Sequence, residues 1–414
     1  MRESSSTGRR IVVTGMGAVS ALGLDLPTTW AALIAGETGI APITRFDATD
    51  FPTTFAAEVK GFDPTVLGRK EHRRMDRVTQ FAVVAAREAV ASARLGTSFA
   101  PERIAVLVGT AMGGIETYSE NVRTLMEHGP RRISPFAVPM AIPNMAPGCV
   151  AIDLGAKGPN FAIASSFTGG ANAIVEGAQM IRDGRADVAI VGGAEAPVTP
   201  IISAGFAAMG ALSDRNDDPQ HAVKPFDRNR NGCVLGEGSA MFVLEDRDHA
   251  IARGATILAE VAGTANTADA VHQVALQDDG EGLVTAMRQA LDEAGLDPDR
   301  IGYLNAHGTG TEMNDRVEAT AIHTVFGSHP PPVSSTKAAT GHALGAAGAL
   351  EAAFAIEALR TGMLPPTRNH HDDDPGIALD VIPNVARESR IVAAMSNSMG
   401  FGGHNTVLVF TRPN

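Results

Sequence analysis

Three short segments of this 414-residue chain carry side chains whose types and spacing suit acyl chemistry. The first is Gly158-Pro159-Asn160-Phe161-Ala162-Ile163-Ala164-Ser165-Ser166-Phe167-Thr168-Gly169-Gly170, which reads as a buried strand turning sharply into a helix. At such an elbow the free N–H groups of the helix N-terminus face back at the turn residue, where a nucleophile would be activated. Phe167 stands at the turn and has no nucleophilic atom. The second segment, Asn305-Ala306-His307-Gly308-Thr309-Gly310-Thr311, and the third, Ser335-Thr336-Lys337-Ala338-Ala339-Thr340-Gly341-His342, each hold a histidine among small residues. A lone histidine is more often a plain core or loop residue. Two in such Gly/Thr-rich settings, with a lysine five residues before the second, make that plain reading much the weaker one.

Together these segments resemble the β-ketoacyl-acyl carrier protein synthases of the thiolase-like fold, in which the elbow residue is a cysteine. The resemblance spans residues 9 to 412. It implies an α/β, five-layered αβαβα fold of two similar halves, and decarboxylative Claisen condensation of malonyl-acyl carrier protein with an acyl primer. Histidine at both supporting positions matches the elongating type rather than the initiating type, which pairs one histidine with one asparagine. A degradative thiolase would need a second, C-terminal catalytic cysteine, and none follows Cys233. The pathway, whether fatty acid, polyene or aromatic polyketide, stays open.

The resemblance also implies site roles. His307 and His342 donate to the malonyl thioester oxygen, Lys337 is a buried ammonium, and Glu318 is its carboxylate partner. Asp315 either joins that network or is a plain helix N-terminal acid. Phe401, within Gly400-Phe401-Gly402-Gly403, gates the acyl channel, and its N–H joins that of residue 167 in an oxyanion hole. Met112 lines the acyl pocket or is ordinary core, and Thr309 and Thr311 border the substrate. His404 receives no role. Arg69, Lys70, Arg73 and Arg74, with Arg131 and Arg132, form either a solvated face or the docking patch for an acidic acyl carrier protein. No metal or organic cofactor takes part, although relatives can hold a structural monovalent cation near positions matching Glu351 and Asn397.

With Phe167 in place of the thiol, no acyl-enzyme forms at the elbow and condensation is expected to be lost. One explanation is an engineered Cys→Phe change in an otherwise normal synthase. The other is a natural partner like the chain-length factors of type II polyketide systems. Such partners usually lose the histidines as well, so the retained His307, His342, Lys337 and Glu318 favour the first.

These residues need a scaffold of alternating strands and helices. Apolar runs at 10–15, 103–109, 187–192, 257–262 and 301–304 predict strands, and the spacing at 172–182 and 282–294 predicts helices. No close sequence repeat is visible. Composition confines any flexible tail to residues 1–8, and the division into an N-terminal half (9–250) and a C-terminal half (251–414) comes from the resemblance. With 44% hydrophobic and 19% charged residues, the composition is that of a globular protein. A net charge of −12 argues against nucleic-acid partners, and two cysteines give no disulfide framework. No membrane span or signal peptide is expected, which predicts a cytoplasmic protein. The expected partners are acyl carrier protein and either a second copy or a related synthase or chain-length-factor subunit.

Overall fold

A computed structural model describes residues 8–96 and 99–413. The flexible tail expected over residues 1–8 lies, except for Gly8, outside them.

Ten strands form the main sheet: β1 (Ile11–Ser20), β2 (Ile104–Gly109), β3 (Asn160–Ile163), β4 (Val188–Glu195), β5 (Gly238–Asp246), β6 (Ala259–Ala268), β7 (Ile301–Asn305), β8 (Val333–Ser334), β9 (Ala393–Gly400) and β10 (His404–Thr411). Their order is β8-β7-β9-β10-β6-β1-β5-β4-β2-β3. It divides into two sets of five with one pattern. In each set the first and last strands in chain order pair antiparallel, as do the last two, and the remaining neighbours run parallel. The sets join where Val12 and Val13 of β1 meet Glu260 and Ala259 of β6. The repeat invisible in the sequence is therefore plain in the topology.

Helices fill three layers around these strands. Helices α1 (Arg77–Ala93) and α3 (Met145–Leu154) cover the outer face of the first set. Helices α6 (Glu281–Ala294) and α7 (Glu312–Phe326) cover the outer face of the second. Between the sets lie α4 (Gly169–Arg182) and α8 (Ala347–Thr361), packed on each other and on strands. Every residue of α8 from Ala347 to Leu359 is buried, which its alanine-rich sequence permits on all sides. The result is the αβαβα stack. The expected strands and helices all form, with β1 and β6 running several residues further than expected. Among the described residues no helix is long and apolar enough to cross a membrane.

One expectation needs correcting. The strand before the elbow, β3, is not buried: it is the outermost strand of the sheet, and Asn160 and Phe161 are exposed. An edge strand has a neighbour on one side only, so its apolar residues stay uncovered within a single chain.

Candidate active site

The elbow forms where β3 passes into α4. Ser166 adopts a left-handed φ of +54°, a costly conformation for a residue with a side chain. A single turn of 3-10 helix, Ser166–Thr168, then leads into α4. Close packing enforces this turn, since a Cβ on Gly109 at the end of β2 would lie 2.0 Å from the Gly169 carbonyl carbon. Phe167 is thus presented at the helix N-terminus, 6% exposed.

The hairpin between β9 and β10 lies over it. Gly400 pairs with His404 across a three-residue turn, with Gly402 and Gly403 at φ of +87° and +74°. A Cβ on Gly400 would stand 3.0 Å from the Phe167 nitrogen, so glycine there lets the two backbones meet. Phe401 then rests its ring 4.7 Å from that of Phe167. His404 opens β10, half-buried, and takes no part in the cavities described below.

His307 and His342 come from turns of the second half and meet at 5.2 Å between ring centroids. His342 Nδ1 accepts the Leu344 N–H at 3.2 Å, which leaves the proton on Nε2. That Nε2 is buried without a protein partner. His307 Nδ1 lies 3.3 Å from Lys337 Nζ, an obligate donor, so its proton also sits on Nε2. Burial, with the Lys337 charge second, holds both imidazoles well below their usual range. Both are neutral N–H donors at neutral pH.

Lys337 is anchored differently from expectation. Its Nζ donates to the His307 carbonyl at 2.6 Å and pairs with Glu351 of α8, not with Glu318. Both oxygens of Glu318 are engaged by the backbone N–H groups of His307 and Gly308, each at 2.8 Å. Glu318 therefore fixes the turn that carries His307. Asp315 does the same one turn away, accepting from Gly310 N at 3.2 Å and Phe226 N at 2.8 Å. Burial raises the carboxyls of Glu318 and Glu351 to about 7, against these donors and Lys337.

Two cavities border this cluster. The first, about 210 Å³, is lined by His307, His342, Thr309, Thr311 and Cys233 on one side of the Phe167 ring. The second, about 450 Å³, lies on the other side against Met112, Ile201, Ile202 and Gly205. Phe167, Phe206, Met209 and Phe401 line both. Phe206 comes from α5 (Pro200–Ala208), and its ring stands 6.1 Å from Phe167 and 6.3 Å from Phe401. An aromatic wall centred on position 167 thus separates the histidines from the pocket of Met112.

Sequence reasoning missed three contributors. Glu195 ends β4 fully buried and ties the loop bearing Met112 to Gly345 through the N–H groups of Ala111, Met112 and Gly345. Burial raises its carboxyl to about 7. An acid closing a wholly apolar strand was the available signal. Cys233 and Phe206 offered none, because each sits in an ordinary apolar context.

The basic residues lie apart from the cavities. Arg69, Lys70, Arg73, Arg74, Arg131 and Arg132 are all exposed. The Arg74 guanidinium sits 4.9 Å over the Phe136 ring, which brings the two clusters side by side. Among the described residues none of the six is in an ion pair with an acid. As for a monovalent cation, Glu351 Oε2, Asn397 Oδ1, Asn305 Oδ1 and Ser396 Oγ are buried oxygens without a protein partner. An all-oxygen donor set suits a hard cation, although Glu351 also serves Lys337 and Asn397 directs its amide at Glu318.

Residues 8–250 match the family model of the β-ketoacyl synthase N-terminal domain, and residues 258–371 that of its C-terminal domain. The chain is 47% identical over 411 residues to 3-oxoacyl-[acyl-carrier-protein] synthase 2 of Staphylococcus aureus (strain COL), covering 98% of this chain and 99% of that protein. It is 46% identical over 408 residues to the protein of the same name from Synechocystis sp., with 98% of each covered. Among solved structures it superposes on the ishigamide ketosynthase/chain length factor with a TM-score of 0.93 at 35% identity, covering 99% of this chain and 100% of that one. A type II PKS acyl-carrier protein in complex with its ketosynthase, bound to the hexaketide, gives 0.92 at 31% identity, covering 98% and 100%.

Proposed function

Because the chain belongs to the β-ketoacyl synthase family, we propose that it receives a malonyl thioester from acyl carrier protein in the 210 Å³ cavity. The carrying observation is the pair of neutral imidazoles, His307 and His342, whose Nε2–H groups border one cavity beside the elbow. A thioester oxygen held between them is stabilised as its charge grows during loss of carbon dioxide. Lys337 and Glu318 are positioning residues: one sets the His307 tautomer, the other its backbone. The N–H groups of residues 167 and 401 form a second donor pair beneath the Gly400–Gly402 hairpin, which swings to admit an acyl chain. Thr309 and Thr311 border the carrier's pantetheine arm, and Met112 the acyl tail. The activity of the family is elongation of an acyl chain, an acyl transfer. In this chain Phe167 removes the thiol that would hold the primer, and its ring closes the route to the second cavity.

The exposed basic residues from Arg69 to Arg74 and at Arg131 and Arg132 dock the acidic carrier on a body of net charge −12. The uncovered edge of β3, with Phe161 exposed, is the face for a second subunit. The chain runs from β3 directly into Ser166 and Phe167, which line the second cavity, so a partner on this edge borders the acyl pocket. The resident in this role is a second copy or a related synthase. The ketosynthase/chain length factor relative supports a heterodimer as the alternative form, whereas the retained His307, His342, Lys337 and Glu318 favour a synthase silenced at position 167. The division near residue 250 and a cytoplasmic setting belong to the same reading.

Calorimetric titration with malonyl-loaded acyl carrier protein tests it. Saturable binding that weakens at least tenfold in an Arg73→Glu, Arg131→Glu double variant and falls with salt is expected. Binding that ignores both changes, or none at all, would remove the carrier from the account.

A further inference from the structure

A second thiol faces the cavity that lacks its first. Cys233 is 4% exposed and lines the same 210 Å³ space as Phe167, His307 and His342. Its backbone is pinned on both sides, the N–H to Ala211 O at 2.9 Å and the carbonyl from Ser213 N at 2.8 Å. The next carbonyl, that of Val234, accepts the His342 N–H at 2.8 Å, so the two segments run side by side. The Cys233 side chain packs in one cluster with Phe167, Phe206 and Leu344. Independently, the buried Nε2 of His342 has no protein partner and borders this space. A polar atom left so asks for a ligand oxygen.

We propose that Cys233 is an acyl-accepting thiol of this cavity, taking the acyl group from a pantetheine-type thioester. The proposal rests on the cavity being a thioester site. The Cys233 sulfur attacks the thioester carbonyl carbon, and the resulting oxyanion is held by the Nε2–H groups of His342 and His307. The bond from that carbon to the pantetheine sulfur then breaks, and the proton lost by Cys233 ends on the departing thiol. One thioester and one thiol give one thioester and one thiol, with no other reactant. Neither imidazole removes the proton, because each Nδ1 is engaged and each Nε2 already carries hydrogen. Burial pushes the Cys233 thiol up to about 12, with Lys337 pulling the other way. Transfer to Cys233 is therefore slow at neutral pH and gains about tenfold per pH unit. A thiol at the helix N-terminus would show a much flatter profile.

The test uses the full chain with acetyl-N-acetylcysteamine thioester, followed by intact mass and peptide mapping between about pH 7 and 9. One acetyl group is expected on the Cys233 peptide, rising about tenfold per pH unit. It should vanish in Cys233→Ala and in the near-isosteric Cys233→Ser, and persist in Cys149→Ala, whose site packs in the outer layer. No adduct on Cys233 up to pH 9, or equal labelling of Cys149, overturns the proposal. Saturation-transfer NMR on the same samples separates the two levels. Thioester bound without transfer sinks Cys233 alone, whereas neither binding nor transfer also sinks the thioester reading of the cavity.

Discussion

The Phe167 ring meets the imidazole of His342 edge-on, with 4.7 Å between centroids and 73° between planes. An aromatic edge against a ring face is a favourable contact, worth about 0.5–1.5 kcal/mol beyond area. The ring that displaces the nucleophile therefore also braces one of the two donors, and it does so from within the wall between two cavities.

Truncating that ring should join the cavities. Phe167→Ala is expected to lower stability by about 2–4 kcal/mol in urea unfolding, since a buried aromatic is lost but the site already borders empty space. The same variant should bind a long-chain acyl thioester at least tenfold more tightly than the parent while barely changing for acetyl. Equal gains for both lengths would show that the ring is not the partition.

The Lys337–Glu351 pair makes a sharper claim about protons. Removing the ammonium by Lys337→Met takes away a cause of the depressed His307 value, so that imidazole should titrate at higher pH, nearer 6.5. Histidine NMR would read this directly. Leaving Glu351 buried and alone should cost about 3–5 kcal/mol, and a second change, Glu351→Leu, should recover much of it. A His307 signal unmoved by Lys337→Met would mean that burial alone sets its charge.

Tautomers give an independent check. Nitrogen-15 shifts of both imidazoles should report a protonated Nε2 and a bare Nδ1 at neutral pH. The opposite tautomer at either ring would remove that ring as an oxyanion donor.

Glu195 ties the Met112 loop to the histidine half and carries a stability signature. Its carboxyl is raised from 4.5 to about 7 when folded, so the folded state binds the extra proton between those values. Its contribution is fully present below about pH 4.5 and is lost as pH rises through about 7, a slope of up to about 1.4 kcal/mol per unit. Because Glu318 and Glu351 are raised likewise in both proteins, urea unfolding across that window should show a parent slope steeper than that of Glu195→Gln by up to this amount. Parallel curves for the two proteins would mean that Glu195 stays ionised.

How far the sequence spoke depends on the kind of contact. Strands such as Ile104–Gly109 and helices such as Glu281–Ala294 announce themselves by local periodicity, and His307, Lys337 and His342 by motifs along a few residues. Long-range pairing is another matter. Glu318 sits eleven residues after His307 and the resemblance pairs it with Lys337, yet the backbone N–H groups of His307 and Gly308 occupy its oxygens. Glu351, on the central helix, reaches the lysine from the opposite side. The exposure of β3 was equally hidden, because Phe161 and Ile163 read as core until the sheet order sets them at an edge. Cys233 joins the site only through the fold, 66 residues from Phe167 in sequence and beside it in one cluster.

The central claim is that the site is complete but for the side chain at 167. It is tested most directly by Phe167→Cys in a Cys233→Ala background, given acyl- and then malonyl-loaded carrier protein and followed by mass. The account predicts an acyl gain on the peptide containing position 167, discharged as a β-ketoacyl product when malonyl carrier protein is added. An intact fold that takes up no acyl group at the restored thiol would contradict it.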